Sequence, residues 1–117
     1  MKYFTFEEFD SPDEIRSGKH MRREFLELLD FAREEAQVPF KITSGFRTES
    51  HNKKVGGVTD SSHLKGCAVD ISCASSSQRS IIVRALVNVG FTRLGIAKSF
   101  IHVDNDPDKS DAIWLYS

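Results

Sequence analysis

The sequence predicts an α+β fold, a small antiparallel sheet with flanking helices. Two stretches, one over about 20–37 and one opening at the Ser75-Ser76-Ser77 run, repeat apolar residues at helical spacing. Between and after them lie short segments with strand character at 40–43, 67–71, 91–96, 100–104 and 113–116. Helices and strands are intermixed, and several strands are close enough in sequence to pair as antiparallel neighbours. At 117 residues the chain suits one core, so a single domain over 1–117 is expected.

Each element has a local reason. Thr5-Phe6-Glu7-Glu8 reads as a capping box, Thr5 the cap and Glu8 its partner three residues on, opening a short helix that Ser11-Pro12-Asp13 breaks. Phe25, Leu28, Leu29, Ala32 and Ala36 form one buried stripe of the first long helix, which Pro39 ends. Phe40 to Thr43 alternates like a strand, and Ser44-Gly45 turns out of it. Thr48 to Lys54 suits a short helix stopped by Gly56-Gly57. Ile81, Ile82, Ala85, Leu86 and Val89 give the second stripe, closed by Gly90.

Composition narrows the function. Sixteen Lys+Arg against 17 Asp+Glu leave a net charge of -1, which argues against a protein that grips nucleic acid by neutralising phosphates. No apolar run approaches the roughly 20 residues a bilayer span needs, so no membrane insertion is expected. Glu7 and Glu8 stand where a secretory signal would carry its apolar region, so cytoplasmic synthesis without a signal peptide is expected. In an extended segment Cys67 and Cys73 would lie about 20 Å apart, which favours two free thiols over a bridge. There is no Cys-x-x-Cys pair for a thiolate zinc site, no Gly-x-Ser-x-Gly elbow and no phosphate-binding glycine loop.

The residues with metal chemistry are histidines and acids. His63 and Asp70 are seven apart, which on one helix means about 10.5 Å of rise. Two ligands of one zinc need donor atoms only about 3–3.5 Å apart. A turn at Gly66 followed by a strand would fold the carboxylate back beside the imidazole. In Phe100-Ile101-His102-Val103-Asp104, alternation puts His102 and Asp104 on one strand face. A ligand from a neighbouring strand would complete a two-His, one-carboxylate set with a position open for water. Taken singly, His63 and His102 read as ordinary polar or packed residues rather than as ligands; His20 and His51 read as surface residues. Asp104 to Lys109 looks briefly like a calcium loop, but Lys109 stands where glycine is required and Leu115 where the bidentate Glu belongs, so a solvated acidic turn is expected. A non-haem iron triad would need a later His, and none follows His102.

Ser61-Ser62-His63-Leu64-Lys65-Gly66-Cys67-Ala68-Val69-Asp70 resembles the Ser-x-His-x-x-Gly-x-Ala-x-Asp signature of zinc D-Ala-D-Ala carboxypeptidases and related phage endolysins, which share the hedgehog/DD-peptidase fold. Ser44-Gly45-Phe46-Arg47 resembles the family's Ser-Gly-aromatic-Arg segment, and Phe100 to Asp104 its last-ligand strand. The resemblance implies that His63, Asp70 and His102 hold Zn2+. It implies that Arg47 grips a substrate carboxylate or steadies charge on the attacked carbonyl. It also implies hydrolysis of an amide bond in peptidoglycan stem peptides, of D-Ala-D-Ala carboxypeptidase or L-Ala-D-Glu endopeptidase type. The expected setting is a monomer acting at the bacterial cell wall after release.

One departure stands out. Where several relatives carry an acid three residues before the last His, this chain has Ser99, and where some carry a His two before it, this chain has Phe100. Asp104, on the strand face of His102, is the expected replacement as proton carrier, or else a carboxylate supporting the ligands. The alternative is a non-catalytic, zinc-stabilised binding module of the same fold, in which the metal only staples the domain.

Overall fold

The computed structural model describes residues 1–117. The Thr5 capping box is present, with the Glu8 carboxylate accepting from the Thr5 backbone N–H at 2.7 Å, and it opens a 3-10 turn over Phe6–Phe9. A second 3-10 turn, Ser17–His20, precedes helix α1 at Arg23–Ala36. The helix expected from about His20 therefore starts three residues later. Met21 is extended and buried, and the Arg22 N–H is committed to the Gly66 carbonyl at 2.8 Å, so neither continues a helix.

Strand β1 (Ile42–Ser44) leads to α2 (Glu49–Lys54), whose Thr48 cap accepts from the His51 N–H at 3.1 Å. A 3-10 turn at Ser62–Lys65 leads into β2 (Ala68–Ser72). Helix α3 (Ser76–Asn88) is capped by Ser75, as its serine run predicts. Then come β3 (Arg93–Ile96), β4 (Phe100–Asp104) and β5 (Ala112–Leu115).

The sheet runs β1-β2-β4-β3-β5. Three of its pairings are antiparallel, as expected, but β5 runs parallel to β3, which makes the sheet mixed at that edge. The cause is the loop after β4. Asp104, Arg93 and Ala112 lie in one row across β4, β3 and β5, so the loop crosses β3 at the end where β3 begins, and β5 must set off in the same direction.

Alternation divides the sheet into a core face and a site face. Val69, Ile71, Leu94, Ile101 and Val103 are fully buried and join Phe25, Leu29, Ile82 and Leu86 of the two long helices in one core. Phe25 meets Phe91 edge to face at 5.6 Å, worth about 1 kcal/mol beyond area burial. Cys67 and Cys73 are both buried free thiols. The opposite face carries Asp70, His102, Asp104 and Arg93. No helix is long and apolar enough to cross a membrane.

Candidate metal centre

Asp70 of β2 and His102 of β4 are direct cross-strand partners. Facing residues on one side of an antiparallel pair have side chains within reach of each other, so the register alone brings these two together. The His102 ring points Nδ1 at Asp70 Oδ1, 3.0 Å away.

His63 arrives from the turn before β2. Ser61 caps that turn, its hydroxyl accepting from the His63 N–H at 3.2 Å, and Gly66 closes it at φ 71. The bend expected at Gly66 is thus in place, and only glycine fits it: a Cβ there would stand 2.2 Å from the His20 carbonyl oxygen. The turn delivers His63 Nε2 to within 3.4 Å of the same Asp70 oxygen. The ligand-capable atoms of His63, Asp70 and His102 all lie within 4.8 Å of one another.

The far side of each imidazole is anchored. His63 Nδ1 donates to the Gly45 carbonyl at 2.8 Å, which leaves Nε2 as the free lone pair. His102 Nε2 meets Asp104 Oδ2 at 2.7 Å, which leaves Nδ1 facing Asp70. Ligand imidazoles are characteristically held this way, by a carbonyl or carboxylate on the opposite nitrogen. The rings are 5.2 Å apart, and His63 and His102 are both buried. Two nitrogens and one carboxylate at this spacing fit the donor set of a zinc site with an open position.

Electrostatics favour a cation here. Burial alone would raise the Asp70 carboxyl, but hydrogen bonds from His102 and His63 outweigh it and hold it well below the usual carboxylate range. Burial opposes charge on His102, yet hydrogen bonds to Asp104 and Asp70 push its affinity for a proton upward. A buried carboxylate, Asp104, and a half-buried one, Asp70, flanking one imidazole attract positive charge, whether proton or metal.

Arg47 reaches the same cleft. Its Nε donates to Ser44 Oγ and one terminal nitrogen to Asn52 Oδ1, each at 3.2 Å, while the other terminal nitrogen lies 3.6 Å from Asp70 Oδ2. Asn52 is buried and also donates to the Val58 carbonyl at 2.8 Å. A side chain at Gly57 would stand 2.0 Å from the Asn52 oxygen, so that glycine makes room for the arm that aims Arg47.

Asp104 shares the strand face of His102, as alternation predicts. It lies beyond the His102 ring from Asp70 and is buried, and its oxygens accept from His102, from Arg93 Nε at 2.7 Å and from the Asp106 N–H at 3.1 Å. The stretch from Asp104 to Lys109 is not the solvated acidic turn expected. Asp106 is buried too, gripped by Ser62 Oγ at 2.7 Å and Lys65 Nζ at 2.9 Å. Ser99 lies in the turn between β3 and β4, where its carbonyl accepts from the Cys73 N–H at 2.9 Å. Sequence reasoning missed Asn52, Arg93 and Asp106. Their signals were weak: one polar residue on a six-residue helix, one cation beside a strand, and one acid among several.

The cluster lies on the floor of an open cleft lined by Arg47, Val55 to Val58, Lys109, Trp114 and Tyr116. A small α+β domain with two buried imidazoles and a half-buried carboxylate opening into such a cleft has the layout of a metal-dependent hydrolase. The family model described as Peptidase M15 matches residues 2–104, and the chain belongs to that family, a peptidase family generally dependent on zinc. No curated protein matches the chain.

Proposed function

We propose that the protein is a zinc peptidase hydrolysing an amide bond in peptidoglycan stem peptides, of the D-Ala-D-Ala carboxypeptidase or L-Ala-D-Glu endopeptidase type. The observation that carries this reading is the convergence of His63 Nε2, Asp70 and His102 Nδ1 on one point of the cleft floor in a Peptidase M15 chain. His63, Asp70 and His102 are the residues that would hold Zn2+. Bound there, the ion would acidify a water toward neutral pH and polarise the substrate carbonyl.

The chain's own residues do the rest. Gly45 fixes the His63 tautomer, and Asp104 fixes that of His102. Arg47, held by Ser44 and Asn52, presents a cation at the edge of the cluster, placed to grip a substrate carboxylate or the oxygen that gains charge. Asp104 acts through His102 as a positioning residue and not as the proton carrier. All its contacts are taken, and the imidazole stands between it and Asp70.

The substrate is a peptide of the cell wall, met by a monomer after release from the cytoplasm; neither nucleic acid nor membrane takes part. One observation favours the second reading, a non-catalytic zinc-stabilised module. Asp70 and Asp104 are the only carboxylates lining the cleft, and both are engaged. Digestion of purified peptidoglycan, read by mass spectrometry, decides between them. New fragments from the zinc-loaded protein but not from His63→Ala support the peptidase and identify the bond. Equal inertness of both, with zinc bound to the native chain, leaves the module.

A further inference from the structure

Trp114 and Tyr116 lie beyond residue 104, where the family match ends, yet both line the cleft with the His63, Asp70 and His102 cluster. Register explains how they get there. Trp114 pairs with Gly95, Gly95 with His102 and His102 with Asp70, so one row crosses β5, β3, β4 and β2. Alternation turns Trp114, and Tyr116 just past it, toward the site face, and leaves Ile113 and Leu115 largely exposed on the other. The Tyr116 N–H donates to the Ile96 carbonyl at 2.9 Å and so carries the β3–β5 ladder one residue further.

Gly95, in the middle of the row, is what lets the rings approach. A Cβ there would stand 2.6 Å from Trp114 Nε1 and 2.6 Å from Tyr116 Cε2. With the space open, the indole lies 5.5 Å from the His102 ring, and the Arg93 guanidinium covers it at 4.9 Å. The Tyr116 ring rests against Phe100 at 5.2 Å and against Trp114 at 6.3 Å, and the residue still keeps 43% of its surface exposed. Val55 and Val58, which also line the cleft, are exposed as well. The cleft thus offers aromatic and aliphatic surface together with the ligand cluster. Rigid aromatic rings give large contact area at little entropic cost, which suits them to hold a flexible ligand.

Resting on the peptidase reading above, we infer that Tyr116 is a substrate-contacting, specificity-determining residue whose exposed ring packs on the peptide plane and small apolar side chain of the residue beside the scissile amide, with Trp114 as its backing. The partner is the peptide and not the glycan, because the apolar surface lies next to the ligand cluster, where the amide must sit.

The test uses the zinc-loaded full chain and a sugar-free stem pentapeptide, L-Ala-γ-D-Glu-L-Lys-D-Ala-D-Ala. Turnover is followed by mass spectrometry, and binding by the fluorescence of Trp114, the chain's one tryptophan. For Tyr116→Ala, KM is expected to rise about five- to tenfold with kcat within about twofold. Zinc affinity and the circular-dichroism melt should stay as in the native chain, since the ring removed is an exposed one. Tyr116→Phe should keep the native KM, because the ring and not the hydroxyl makes the contact. Gly95→Ala should raise KM as Tyr116→Ala does, by displacing both rings. An unchanged KM in Tyr116→Ala, a loss in kcat alone, or an effect seen only with sugar-bearing muropeptides overturns the inference. A native chain that cleaves the pentapeptide while Tyr116→Ala is indifferent removes only this contact; a native chain that neither binds nor cleaves it removes the peptidase reading beneath.

Discussion

Asp106 clamps the turn that carries His63 to the loop after β4, and its removal should be visible in stability. Its Oδ2 accepts from Ser62 Oγ at 2.7 Å and Lys65 Nζ at 2.9 Å, its Oδ1 accepts from the Asp108 N–H at 3.0 Å, and its side chain is fully buried. Burial would raise this carboxyl, but the hydrogen bonds from Lys65 and Ser62 outweigh it and hold it at about 2, against an ordinary 3.8. At about 1.4 kcal/mol per tenfold change in proton affinity, that difference is worth about 2 kcal/mol of folding stability. A carboxyl with a depressed folded value contributes fully above its unfolded value and loses the contribution as pH falls through its folded one. The stabilisation should therefore be complete above about pH 5 and fade between pH 4 and pH 2. Asp106→Asn removes the charge but keeps the shape. At pH 7 it should unfold about 2 kcal/mol more easily in urea, or melt about 8 °C lower. At pH 2 the two proteins should converge. A difference that stays constant from pH 7 to pH 2, or none at pH 7, refutes the clamp.

Asp104→Asn should weaken zinc binding by about 10- to 100-fold in a chelator competition, because it unfastens the imidazole of His102 without touching a ligand. Gly66→Ala should cost about 3 kcal/mol by urea unfolding, since it combines φ 71 with a Cβ 2.2 Å from a carbonyl oxygen. Gly56→Ala, at φ 75 but with nothing within 4 Å, should cost only about 1 kcal/mol, so equal losses at the two sites would contradict the crowding argument.

Different parts of the molecule were legible in the sequence to different degrees, for physical reasons. Helices α1 and α3 declare themselves through their stripes, because burial of one face writes a period into the chain, and β4 through the alternation of Ile101 and Val103 with His102 and Asp104. The meeting of His63, Asp70 and His102 was implied by the resemblance of the signature; the turn that glycine permits and the alternating strands only allow it, and the β2–β4 register that sets Asp70 opposite His102 is not a local feature. What alternation cannot say is which ring nitrogen faces which neighbour. His102 and Asp104 do share a face, but the ring turns Nε2 to Asp104 and Nδ1 to Asp70, and this separates a supporting carboxylate from a ligand. The parallel run of β5 was hidden because it depends on where the loop over 105–111 crosses the sheet. Asp106 read as one solvated acid among several, since nothing local signals that Ser62 and Lys65 fold over it. The row from Trp114 through Gly95 to His102 exists only once the strand order is known.

The proposed metal site requires that His63, Asp70 and His102 together hold one divalent ion. Calorimetric titration of Zn2+ into the chelator-stripped protein tests it most directly. One equivalent should bind to the native chain, and that binding should vanish in His63→Ala and in Asp70→Ala with the circular-dichroism spectrum of the fold retained. A native chain that takes up no zinc, or either variant binding it as tightly as the native chain, would contradict the account.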